Sequence, residues 1–272
     1  MPDERFLAAT RASYDVMAVE YAEKVDSDLD AKPLDRALLV AFAELTQAGG
    51  NGPVADVGCG PGQVTAALHR LGLNAFGIDL SPEMIAVARR TYPELRFEVG
   101  SMLALDLPQA SVGGLLAYYS IIHIPWERRT EVFLEFHRVL APGGQLMLVF
   151  QVGDGQGHRA EAFGKAICVD WYRQQPDEIA GLLRRAGFEV WATTTACRRV
   201  GGSDCQVGRI AGRCCGRRSG RAADSRWASG SPPAPPPPGM RRPGGSRAGA
   251  GRRTSSGHAP GSGPPAGRRS VR

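Results

Sequence analysis

Short apolar runs alternate with segments of helical period along most of this chain. Residues 54–57 form a compact apolar run, and Val64, Ala67, Leu68 and Leu71 then recur at helical spacing. The runs at 74–79, 95–99, 115–119, 145–150 and 188–194 complete a predicted set of six strands. Between them, Ser81-Pro82-Glu83 is a helix start, residues 127–140 carry Val132, Phe133, Phe136, Val139 and Leu140 on one face, and residues 177–186 end at Gly187. Two amphipathic segments, at about 10–25 and 34–45, precede the first strand. Strands that alternate with helices predict a doubly wound, mostly parallel α/β sheet.

The corner after the first strand carries the chemistry. Gly58, Gly60 and Gly62 fill the turn between strand and helix, where glycine tolerates positive φ and lets a ligand touch the main chain at the partly positive helix end. A dinucleotide fingerprint would require a glycine at position 63, which is Gln63 here, so a nicotinamide-dependent oxidoreductase is disfavoured. Asp56, two places before the first glycine, would repel a pyrophosphate but suits the ammonium of an amino-acid moiety. Asp79 ends the second strand, seventeen residues beyond Gly62, where a carboxylate can accept from both hydroxyls of a ribose. With Ser81 as the better cap, Asp79 is expected to be free for ligand.

The pattern D-x-G-x-G-x-G from Asp56 to Gly62, followed by Asp79-Leu80-Ser81-Pro82-Glu83-Met84, resembles the class I S-adenosylmethionine-dependent methyltransferases over roughly residues 10–195. The resemblance implies S-adenosylmethionine as cofactor and a Rossmann-like sheet of seven strands in the order 3-2-1-4-5-7-6, the last strand antiparallel. It further implies a cofactor site made of Asp56, Gly58, Cys59, Gly60, Gly62, Asp79, Leu80, Met84, Ser101, Met102 and Tyr119. Ser101 stands where many relatives carry Asp, at the corner that holds the adenine. Tyr14 and Tyr21 on the first amphipathic segment are expected either to close the pocket or to pack on their helix. His123, in the loop after strand four, is the candidate general base, although no second residue pairs with it recognisably. His158 is expected to line the acceptor pocket from a loop.

Charge divides the chain. Residues 1–197 carry a formal charge of −8 and residues 198–272 carry +14. The basic balance therefore belongs to the tail. Three parts are expected: residues 1–48, helical and covering the cofactor site; 49–197, the methyltransferase core; and 198–272, an Arg/Gly/Pro-rich tail that lacks Leu, Phe, Tyr and Lys and reads as disordered. After Thr195 the apolar alternation collapses, and residues 206–210, interrupted by Gly208, are the only later strand candidate. The last strand is therefore expected to be missing. Arg, Gly, Ala and Pro are also what out-of-frame reading of GC-rich codons enriches, which predicts that the segment from about Ala196 replaces an authentic C-terminus.

Nucleic-acid binding by the tail is not expected, because apart from His258 its only aromatic residue is Trp227. The six cysteines lack paired ligand spacing, and no metal is expected. No apolar run reaches the length of a membrane span, and a soluble, cytoplasmic protein is expected. The acidic core and short connections suggest methyl transfer to a small-molecule acceptor. The alternative is a non-catalytic nucleoside-binding relative with a disrupted C-terminus.

Overall fold

Leu115 and Leu116 sit next to each other in one strand and are both fully buried, yet they belong to different clusters on opposite faces of the sheet. That is the reason the strands read as continuous apolar runs: helices cover both faces, so no position along a central strand is left to water. The computed structural model describes residues 5–25, 29–50, 52–200 and 203–215. Two helices, α1 (Arg5–Val25) and α2 (Pro33–Ala48), come first. Then follow β1 (Val54–Val57), α3 (Gln63–Arg70), β2 (Ala75–Asp79), α4 (Pro82–Thr91), β3 (Arg96–Val99), β4 (Val112–Tyr118), α5 (Arg129–Val139) and β5 (Leu140–Gln151). A hairpin of β6 (Gln156–Ala162) and β7 (Lys165–Tyr172), helix α6 (Pro176–Arg185) and strands β8 (Phe188–Val200) and β9 (Ser203–Cys214) complete the described chain.

Seven strands form one sheet in the order β3-β2-β1-β4-β5-β9-β8. β1 to β5 pair in parallel, and β9 runs antiparallel to both β5 and β8. Phe133 and Phe136 of α5 and Leu183 of α6 pack on one face against Leu115, Leu148 and Phe150. Leu39 and Phe42 of α2 and Leu68 of α3 pack on the other, against Leu116 and Met147. Burying each such side chain contributes about 1.5–3 kcal/mol.

Three expectations change. The last strand is present: β9 pairs with β5 from Gln145↔Arg213 to Gln151↔Val207. Gly208, which argued against a strand, is there for space, since a Cβ would lie 2.6 Å from the ring of Phe150. Arg209 is 7% exposed and reaches Asp35 of α2, with Nε donating to Oδ1 at 2.6 Å. The fold therefore continues to Cys215, and residues from Ala196 onwards do not mark its end. The disorder expected of the rest of the tail lies outside the described residues. Finally, residues 156–172 are no loop but the β6–β7 hairpin, which packs Ile167 and Val169 on Met17 of α1. Among the described residues no helix is long and apolar enough to cross a membrane.

Candidate functional site

The carboxyl ends of β1, β2 and β4 open into a cleft roofed by α1, as expected for a ligand site in an open α/β sheet. The glycine loop forms its floor. Gly58 has φ +76°, and a Cβ there would lie 2.2 Å from Cβ of Ser120, whose hydroxyl donates to the Val57 carbonyl at 2.7 Å. Only glycine allows β1 and the end of β4 to approach this closely. Gly60 donates its N–H to Asp79 Oδ2 at 2.8 Å.

Asp79 is consequently less free than expected. Its other oxygen accepts from the Ser81 N–H at 2.9 Å, so both oxygens are already held by backbone donors. This fixes the carboxylate's orientation and leaves lone pairs for a diol. Burial raises its pKa, opposed by those N–H groups. Ser81 caps α4 as predicted, its hydroxyl accepting from the Met84 N–H at 3.1 Å while donating to Asp15 of α1 at 2.6 Å. Asp15 thus pins α1 over the cleft, a role its sequence context does not reveal.

Two compartments adjoin. One is lined by Asp79, Leu80, Ser101, Met102 and His123. The other is lined by Asp56, Cys59, Gln63, Lys32 and Gln151. Tyr14, Tyr21, Gly58, Gly60, Tyr118 and Tyr119 line both. Asp56 is fully buried; Oδ2 accepts from the Thr65 hydroxyl at 2.7 Å, whereas Oδ1 has no donor among the described residues. Burial pushes its pKa up to about 7, with the Thr65 hydrogen bond opposing and the Asp79 charge adding to the rise. Gln63 Oε1 is a second buried acceptor without a donor among those residues. Neither Gln63 nor Lys32 was singled out from sequence as a ligand residue; the cue for Gln63 was its occupancy of the position where a dinucleotide site needs glycine.

Several expected site residues instead pack. Gly62 lines neither compartment, and a Cβ there would lie 2.7 Å from the Phe97 ring. Met84 is fully buried against Ala18 and Val87. Cys59 borders the second compartment, but its side chain belongs to the cluster of Ala66, Ile85 and Phe97, where burial raises the thiol pKa. Ser101 accepts from the Leu103 N–H at 3.3 Å and still faces the first compartment. His158 is on β6, half exposed, with Nδ1 2.7 Å from the Asp170 carboxylate, away from both compartments.

The aromatic wall where the compartments meet is ordered by contacts between distant elements. Tyr14 and Tyr21 meet edge to face at 5.7 Å between ring centres. Tyr119 has φ +54°, a left-handed conformation that a non-glycine residue adopts at a cost of about 1–3 kcal/mol. It holds this ring at the end of β4, with its N–H bonded to Val149 at 2.8 Å. His123 has a partner after all: Nε2 lies 2.7 Å from the Tyr14 hydroxyl, and Nδ1 lies 2.8 Å from the Asp170 carbonyl. Burial lowers its pKa, which keeps the ring neutral.

A methyltransferase-domain family model matches residues 54–144. Among curated relatives, the chain is 35% identical over 136 residues to a demethylmenaquinone methyltransferase of Chlorobaculum parvum, a match covering 50% of this chain and 54% of that protein. It is 32% identical over 155 residues to a trans-aconitate 2-methyltransferase of Escherichia fergusonii, covering 52% and 59%. The chain thus spans about half the length of the curated relatives it matches. Its fold is similar to that of 1,6-didemethyltoxoflavin-N1-methyltransferase of Burkholderia thailandensis, solved with 1,6-didemethyltoxoflavin and S-adenosylhomocysteine bound: TM-score 0.58, 21% identity, 79% of this chain and 91% of that one. A methyltransferase from Methanosarcina mazei gives TM-score 0.56 at 19% identity, covering 61% and 93%.

Proposed function

Given that residues 54–144 form a class I S-adenosylmethionine-dependent methyltransferase domain, we propose that the chain binds S-adenosylmethionine and methylates a small-molecule acceptor. The observation that carries this reading is the pair of buried acceptors, Asp56 Oδ1 and Gln63 Oε1, beside the glycine loop. An ammonium group brings three N–H donors and a positive charge, which suits a carboxylate and an amide oxygen that lack donors. Lys32 borders the same compartment and suits the carboxylate of an amino-acid moiety. At the other end, the backbone-anchored Asp79 carboxylate suits a ribose diol, and Leu80 and Met102 offer apolar surface to a base. These groups therefore suit the two ends of the cofactor.

Bound in this way, S-adenosylmethionine supplies an electrophilic sulfonium methyl. The chain's own contribution is alignment. Tyr14, Tyr21 and Tyr119 wall the junction between the compartments, exclude water and place an acceptor beside the reacting centre, and such positioning can supply several kcal/mol of barrier lowering. The proteins this chain resembles are named as methyltransferases of small molecules: demethylmenaquinone, trans-aconitate and, at N1, 1,6-didemethyltoxoflavin.

Calorimetry with S-adenosylmethionine and S-adenosylhomocysteine tests the reading. Saturable one-site binding that Asp79→Ala weakens at least tenfold is expected, and no binding to the folded chain would overturn it. Release of S-adenosylhomocysteine with a panel that includes trans-aconitate and quinols then tests transfer.

A further inference from the structure

The geometry points to Tyr14 as the residue that takes the proton from a hydroxyl acceptor, with His123 acting behind it as the proton store. This rests on the methyl-transfer reading above. A carbonyl oxygen can only accept, so the 2.8 Å contact between His123 Nδ1 and the Asp170 carbonyl places the ring proton on Nδ1. Nε2 of the neutral ring is then an acceptor, and the Tyr14 hydroxyl, 2.7 Å away, donates to it. Both nitrogens of His123 are thereby engaged. The ring has no free lone pair to offer an acceptor, whereas the Tyr14 oxygen keeps its own, on a residue that lines both compartments.

The proton path follows from this arrangement. The acceptor's O–H proton passes to the Tyr14 oxygen while the Tyr14 proton passes to His123 Nε2. The O–H bonding pair stays on the acceptor oxygen, which is the nucleophile. Tyr14 ends as it began, a neutral phenol, and His123 ends as an imidazolium that later releases its proton to solvent. A tyrosine in this position serves as a conduit and not as a standing phenolate: burial and the facing Tyr21 and Asp79 keep its hydroxyl protonated, against Arg159. The imidazolium is supported by the Asp170 carbonyl and by the charge of the Asp170 side chain, while burial works against it. Three elements far apart in sequence converge here: α1 through Tyr14, the loop after β4 through His123, and β7 through Asp170. The relay forms only when α1 and the β6–β7 hairpin are both seated against His123.

The substrate class follows. An acceptor that is already ionised needs no relay, so the device implies a weakly acidic hydroxyl, such as that of a phenol or an alcohol.

The test uses the full chain, Tyr14→Phe, His123→Gln and a series of phenols of graded acidity, with S-adenosylhomocysteine release as readout. General-base contributions run about 10²–10⁴-fold, so Tyr14→Phe is expected to lower kcat at least about 100-fold on phenols that stay protonated at the assay pH. On phenols that are ionised, less than about tenfold loss is expected, with the same ordering for His123→Gln and recovery as pH rises. A loss that is equal across the series would mean that both residues only hold the lid, and would overturn the relay. Imidazole nitrogen NMR provides a readout independent of turnover: the Nδ1–H form is expected for His123, with the Nε2 resonance moving in Tyr14→Phe. An Nε2–H form, or an unmoved resonance, would also overturn it. If no phenol is methylated, the hydroxyl assignment fails, while calorimetric binding of the cofactor still decides the reading above.

Discussion

Arg209 of β9 and Asp35 of α2 form a buried ion pair, Nη2 to Oδ1 at 2.5 Å, with side-chain exposures of 8% and 1%. The second oxygen of Asp35 accepts from the Tyr118 hydroxyl at 2.7 Å, and Tyr118 borders the cleft. The last strand of the sheet is thus tied through one carboxylate to the wall of the cleft. Removing one partner of such a pair strands a buried charge, at about 3–5 kcal/mol. Arg209→Met is therefore expected to destabilise the chain by that amount in urea denaturation, and Asp35→Leu combined with Arg209→Met to recover most of it, because a paired apolar replacement leaves no charge behind. If the double variant is as unstable as the single one, the carboxylate is needed for Tyr118 instead.

Gly58→Ala addresses the floor of the site. The new Cβ would need a left-handed residue, at about 1–3 kcal/mol, and would overlap Ser120 at 2.2 Å. Since the Ser120 hydroxyl is bonded to Val57, the overlap is relieved by moving the ends of β1 and β4 apart. A lower melting temperature and at least tenfold weaker S-adenosylmethionine binding are expected. A variant that keeps full affinity would show that the loop backbone does not define the site.

Much of this site was legible because its signals are local. The glycine turn, the Ser81 cap and the Asp79 strand end each lie within a few residues of a feature they control, Asp79 through the Ser81 N–H. The missed elements depend on distant partners. β9 reads as a broken strand because Arg209 and Gly208 interrupt the alternation, yet each answers to a neighbour elsewhere in sequence, Asp35 and Phe150. The β6–β7 hairpin reads as a loop because of Gly153, Gly155 and Gly157, although Gly157 is where the Trp171 ring crosses the opposite strand, 2.2 Å from a notional Cβ. Met84 and Gly62 belong to the motif yet pack against Ala18 and Phe97, because a motif marks positions without separating cleft-lining residues from the packing that supports them.

The hairpin's attachment to α1 yields a prediction of its own. The Ser13 hydroxyl accepts from the Cys168 N–H at 2.8 Å and donates to the Ala9 carbonyl at 2.7 Å, bridging helix and hairpin. Ser13→Ala leaves the Cys168 N–H without this acceptor, a loss of about 1 kcal/mol. Amide exchange across residues 165–172 is expected to quicken about fivefold, the rate equivalent of that energy, with the core strands unchanged. Unchanged exchange would mean that the hairpin is held without this bond, by the contacts of Lys165 with Glu20 and Val16 and by the packing of Ile167 and Val169 on Met17.

Asp56 should set the pH dependence of both stability and affinity, in opposite directions. Its folded pKa, about 7, lies above the ordinary carboxylate value of 3.8, so the folded state holds the proton more tightly than the unfolded chain. Stability from this group is therefore full below about pH 4 and is lost as pH rises to about 7. The difference amounts to about 4 kcal/mol at pH 8, at about 1.4 kcal/mol per pKa unit. Asp56→Asn keeps an acceptor for Thr65 but carries no charge, and is expected to stabilise the unliganded chain at pH 8 by an appreciable part of that figure in urea denaturation. An ammonium ligand favours the ionised carboxylate, so S-adenosylmethionine affinity should rise with pH between 6 and 7.5, with proton release on binding. Calorimetry in buffers of different ionisation enthalpy measures both quantities. The Asn variant should bind more weakly and lose most of the slope near pH 7. A variant that retains that slope would show that Asp56 does not set it.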